Sequence, residues 1–210
     1  MRRRESGRGL LLAALLALTA GVPAAALPAG PNGAASTEQI TRAVTAEQLQ
    51  GHLRAFQDAA DAHGGDRAVG TGGYRASVDH VVERLRAAGY DPRVQAFTVP
   101  ADDHHHEYDD DHDEGADTGS RVTYNVLADT ATGDPDSTVL VGAHLDSVPG
   151  SPGLNDNGSG AAGVLAVAEA LAGTETRNRV RFAWWGAEEV NLHGADHYVS
   201  GLRADDPAAV

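Results

Sequence analysis

The sequence predicts an α/β protein, a three-layer sandwich with a mainly parallel central sheet flanked by helices, on three observations. Past residue 120, short apolar runs alternate with helical periods in a βαβα rhythm. Before residue 100, two amphipathic helical patterns lead into one alternating strand. Beyond the N-terminal leader, no apolar run approaches membrane length.

Taken in order, residues 1–26 read as an export signal. Arg2, Arg3, Arg4 and Arg8 make a basic start, Leu10 to Ala20 is apolar but too short to span a bilayer, and Ala24-Ala25-Ala26 offers a small-residue cleavage pattern. A secreted, extracellular product is the expectation. Residues 27–44 are rich in Pro, Gly and Ala at their start and read as a flexible N-terminal segment, with the main domain over 45–210.

Leu49, Leu53, Phe56 and Ala60 recur three or four apart and predict a helix over 45–63, ended by Gly64-Gly65. Val78, Val81, Val82, Leu85 and Ala88 predict a second helix over 74–88, stopped by Gly89. Residues 93–99 alternate as a strand. Strands are then expected over 122–128, 138–143 and 179–185, and helices over 158–172 and 192–201.

Residues 101–119 interrupt this pattern with nine acidic side chains and four histidines, His104, His105, His106 and His112. Such a segment repels itself and has little to bury, so it reads as a solvated loop between two strands, with metal capture as the sharper alternative. It dominates a formal net charge of −14, which argues against nucleic-acid or anionic-membrane partners. Lys and Cys are absent, so a disulfide framework and a catalytic thiol are both excluded.

Two clusters carry the chemistry, each where a strand runs out into a loop. In VLVGAHLDSVPGSPGLNDNGSGAAGV, extended geometry sends His144 and Asp146 to one side, so that Asp146 can orient the imidazole and leave its other nitrogen for a metal. Asp156 sits in a turn-rich stretch just ahead of a helix, where a carboxylate can bridge two cations. In VRFAWWGAEEVNLHGADHYV, the strand delivers Glu188-Glu189, which are expected to diverge, one toward a metal and one toward a water. Each piece alone has a bland reading as a polar loop residue, a turn or a solvated helix start. Their joint placement at strand ends favours a site.

The strings GAHLDSV, GLNDNGSGAAGVL and FAWWGAEEVNLHGADHYV, with GGDRAVGTGGY, ERLRAAGYDPRVQAF and TYNVLADTATG upstream, resemble secreted bacterial two-zinc aminopeptidases of metallopeptidase family twenty-eight, leucine-aminopeptidase type. The resemblance implies a zinc-exopeptidase/phosphorylase-like fold, incomplete at the C-terminus, that removes N-terminal amino acids from peptides with a free N-terminus. It implies two Zn2+ ions, with His144 a ligand of one, Asp156 bridging both, Glu189 a ligand of the other, Asp146 orienting His144, and Glu188 the general base. The peptide bond after Asp156 is cis in some relatives.

Family members supply a further Asp and His downstream, and the sequence stops at Val210 before either motif. Asp196 and His197 lie too close behind Glu189 to replace them and are expected at the surface. The chain is therefore expected to be a fragment that binds zinc weakly and is inactive alone. Two alternatives stand beside it: a non-catalytic secreted peptidase-like binding module, and a single-zinc glutaminyl-cyclase-like enzyme. Serine-hydrolase and HExxH endopeptidase chemistries fail for want of their motifs.

Overall fold

The computed structural model describes residues 36–100 and 120–205. The expected export signal and the acidic insert lie outside the described residues. Helix α1 (Thr37–Ala43) falls within the segment expected to be flexible, and a reciprocal capping box between Ser36 and Gln39 closes its first turn. Helices α2 (Ala46–Asp61) and α3 (Gly72–Ala87) come after it, each begun by a threonine, Thr45 and Thr71, whose side chain accepts an N–H of the first turn. Strands β1 (Arg93–Pro100), β2 (Ser120–Asp129) and β3 (Asp134–His144) come next. One irregular turn, Leu154–Gly158, then leads into α4 (Ser159–Leu171), β4 (Asn178–Trp185) and α5 (His193–Asp205).

The four strands form one sheet in the order β1-β2-β4-β3. It is mixed, where the sequence rhythm predicts it mainly parallel: β1 runs antiparallel to β2 and β2 antiparallel to β4, while β3 and β4 are parallel. The reason is connectivity. A crossover helix is needed to return the chain in the same direction, and among these strands α4 alone supplies one, between β3 and β4.

Alternation along the central strands sorts the two faces. Val126 and Ala128 of β2 and Phe182 and Trp184 of β4 pack with Phe56, Val81, Leu85 and Leu165 from α2, α3 and α4. Leu127 and Ala183 turn to the other face and meet Tyr198 of α5. This is the three-layer sandwich, with its largest core on the α2–α4 side. Trp184, fully buried, locks α4 to the sheet by donating from its indole nitrogen to the Ala161 carbonyl at 3.1 Å.

The parallel pair brings two strand ends together. Its register places His144 opposite Trp185, so β3 and β4 finish side by side. The ladder continues one step further, with the Leu145 N–H donating to the Trp185 carbonyl at 2.8 Å.

Candidate metal centre

His144 closes β3 and is only 7% exposed. Its Nδ1 lies 3.2 Å from the main-chain oxygen of Asp146, an acceptor, so Nδ1 carries a proton. Nε2 then faces outward, 3.0 Å from Asp156 Oδ1 and 3.5 Å from Glu188 Oε2. Burial alone would depress this imidazole, yet the carboxylates of Asp146, Glu188 and Asp156 outweigh it and push it up to about 9. The field at Nε2 is one that favours a cation.

Asp146 does more than face the imidazole. Its carboxylate is 3.6 Å from His144 Nδ1 and is engaged elsewhere, accepting the N–H of Glu188 at Oδ1 and the N–H of Glu189 at Oδ2, each at 3.1 Å. The Asp146 carbonyl also faces Nδ1, and the carboxylate in addition holds the turn after β4 against the loop after β3. A fully buried anion spent on two backbone amides is a rigid link between the two clusters.

That turn, residues 186–192, is strained. Ala187, Asn191 and Leu192 sit at φ of 56°, 64° and 61°, a left-handed conformation that non-glycine residues adopt at a cost. Asn125 of β2 braces it, accepting from the Gly186 N–H at 3.0 Å and donating to the Gly194 carbonyl at 2.8 Å. Gly186 itself has no room for a Cβ, which would collide with the Tyr74 hydroxyl and the Tyr124 carbonyl. The consequence is that both glutamates turn inward. Both face His144, and ligand atoms of His144, Glu188 and Glu189 all lie within 4.8 Å of one another. Desolvation raises the Glu189 carboxyl, and the charges of Asp146, Asp156 and Glu188 add to it against the pull of His144.

Asp156 belongs to the irregular turn ahead of α4, in non-helical conformation, and the Asp156–Asn157 peptide bond is cis. Its side chain is 79% exposed although one oxygen reaches His144. Asp156 thus reaches His144 from the exposed side, while the group whose ligand atoms all lie within 4.8 Å is His144, Glu188 and Glu189. Asp196 and His197 are both exposed, and His197 stacks on Phe97 at 4.8 Å, so neither joins the group.

Sequence reasoning assigned no part to Arg67, which holds the loop after β3. It is fully buried and donates to the carbonyls of Leu145, Pro152 (2.7 Å) and Gly153 (2.9 Å), while its main chain pairs with Ser147. Burial lowers the guanidinium to about 10 against the opposing charge of Asp146. The one signal available in sequence was an arginine inside a Gly-rich loop, GGDRAVG, with no acidic partner at helical spacing.

The donor set, one imidazole nitrogen with carboxylate oxygens, suits zinc. Fold and site together define an α/β sandwich with an imidazole–carboxylate cluster at the ends of two parallel strands. Residues 125–210 match the model of peptidase family M28. Leupeptin-inactivating enzyme 1 of Streptomyces exfoliatus is 39% identical over 204 residues, covering 95% of this chain and 42% of that protein. An aminopeptidase of Pseudomonas aeruginosa (strain UCBPP-PA14) is 56% identical over 84 residues, 40% of this chain and 16% of its own length. Among solved structures, the aminopeptidase from Aneurinibacillus sp. strain AM-1 superposes with a TM-score of 0.66 at 17% identity, over 81% of this chain and 69% of that one, a likeness of fold. Residues 125–210 are thus similar to peptidase family M28, and the chain is similar to part of each of these relatives. It spans less than half the length of the curated relatives it matches.

Proposed function

We propose that the protein is a zinc-dependent aminopeptidase that removes the N-terminal residue of peptides with a free N-terminus. The observation that carries this reading is the convergence of His144, Glu188 and Glu189 within 4.8 Å at the ends of two adjacent strands. Relatives named as aminopeptidases support it.

His144, Asp156 and Glu189 would hold the metal, read here as two zinc ions. Bound zinc would supply a Lewis acid for the scissile carbonyl and acidify water. Everything else falls to the chain. Glu188, 3.5 Å from His144 Nε2, is placed to take a proton on Oε2 and return it to the departing amine. Asp146 fixes the direction of Glu188 and Glu189 through their amides, and the Asp146 carbonyl keeps the proton of His144 on Nδ1 so that Nε2 faces the site. The acidic rim suits the ammonium of a free N-terminus. Export through residues 1–26 belongs to the same proposal, on the order of its charged, apolar and small-residue zones.

The test is zinc stoichiometry on the full-length protein together with hydrolysis of an aminoacyl anilide, repeated with Glu188→Ala. The expected result is zinc retained in the variant and turnover lowered by about 10²–10⁴-fold, the usual contribution of a general base. Turnover indifferent to Glu188→Ala, or no zinc bound, would sink the reading. Zinc bound without any turnover would favour a peptide-binding module.

A further inference from the structure

Beside Glu189 lies a cleft of about 210 Å³ walled by Val69, Val148, Pro149 and Val190, with Arg121 as its basic member. Arg121 leads out of the N-terminal end of β2, and its stem lies on Gly70, where a Cβ would come within 3.3 Å of Arg121 Cδ. The guanidinium is held in place but poorly satisfied. One nitrogen donates to the Pro100 carbonyl at a long 3.4 Å, and Nε is out of water with no acceptor among the described residues. Among the described residues no carboxylate lies within ion-pairing distance of it. A cation left in this state carries a penalty that an anionic ligand would relieve.

The cleft thus has an acidic end, where Glu189 meets Glu188 and His144, a basic wall at Arg121, and apolar surface between. We infer that it binds a short zwitterionic peptide, with the free ammonium toward Glu189 and the terminal carboxylate on Arg121. A guanidinium fork takes a carboxylate through two parallel N–H bonds, which a terminal amide cannot match. Arg121 is accordingly a specificity residue for peptide length, a role that rests on the aminopeptidase reading and narrows its substrate class.

The experiment uses the full-length, zinc-supplemented protein carrying Glu188→Ala, so that binding is read at equilibrium without turnover. Calorimetry compares leucyl-leucine with leucyl-leucinamide. The free acid should bind about tenfold more tightly, as expected for one charge-assisted contact. Adding Arg121→Met should erase the difference while leaving amide affinity and the thermal midpoint unchanged, and Arg121→Lys should restore part of it. Equal affinity for acid and amide, an Arg121→Met protein that still discriminates, or no binding of either peptide overturns the inference. Anilide hydrolysis by the protein with Glu188 intact involves no carboxylate, so it reports on the aminopeptidase reading separately.

Discussion

Arg67 and Asp146 are both fully buried and carry opposite charges, and each spends its charge on backbone. Arg67 donates to three carbonyl oxygens of the loop after β3, and Asp146 accepts two amides of the turn after β4. Between them they tie the metal-facing loops to each other and to the α2–α3 connection. Replacing Arg67 with Met keeps much of the apolar stem but strands three inward-facing carbonyls. The expected loss is about 3 kcal/mol of stability, since hydrogen bonds to a charged group contribute about 1.5–3 kcal/mol each and do not add fully. Urea unfolding of Arg67→Met would measure it, and an unchanged midpoint would mean that the loop is held by other contacts. The candidate ligands could be named from sequence because their types and spacing carry the chemistry. Arg67 and Asn125 could not, because what they do is defined by partners 78 and 61 residues away.

Among the elements, α2, α3 and α4 share a buried polar node. Glu169 of α4 accepts from Gln48 of α2 and from Arg84 of α3 at 2.7 Å, and faces His52 Nε2 at 3.4 Å; His52 Nδ1 in turn lies 3.2 Å from His80 Nε2 of α3. Burial would raise Glu169, but the bonds to His52, Arg84 and Gln48 win and hold it at about 2, below its usual 4.5. Burial, with His52 and Arg84 nearby, lowers His80 from 6.5 to about 4. Both shifts act in one direction. Between pH 6.5 and 4 the unfolded chain takes up a proton that folded His80 refuses, and between 4.5 and 2 the same holds for Glu169. Stability is therefore complete above pH 6.5 and falls as pH drops toward 2, with Glu169 accounting for up to about 3 kcal/mol. Denaturant midpoints at pH 7, 5 and 3 should decline, and Glu169→Gln should lower the pH 7 value while flattening the acid limb. A variant as acid-sensitive as the parent would remove Glu169 from the account. Helix lengths here were legible from apolar spacing, but this node was not, because Glu169 sits in a helix whose pattern otherwise reads as plain apolar packing.

At the scale of the molecule, β3 is one of the two edge strands of the sheet among the described residues. Among the described residues it pairs with β4 alone, and Val139 and Leu140 are each nearly half exposed on its two faces. An open apolar strand edge is a template for pairing with another chain. Concentration-dependent association is expected in sedimentation velocity, and Leu140→Lys should reduce it; a monodisperse parent protein at high concentration would contradict this. By itself the sequence determined the α/β class, the run of helices and strands, and the identity of the imidazole and carboxylates at strand ends, since periodicity and side-chain chemistry are local properties. Only the tertiary structure decided that the sheet is mixed, that a left-handed turn braced by Asn125 aims Glu188 and Glu189, and that the Asp146 carboxylate also serves that turn. Those outcomes depend on which strand lies beside which, and on backbone groups brought close across the fold, and no local stretch of residues encodes either.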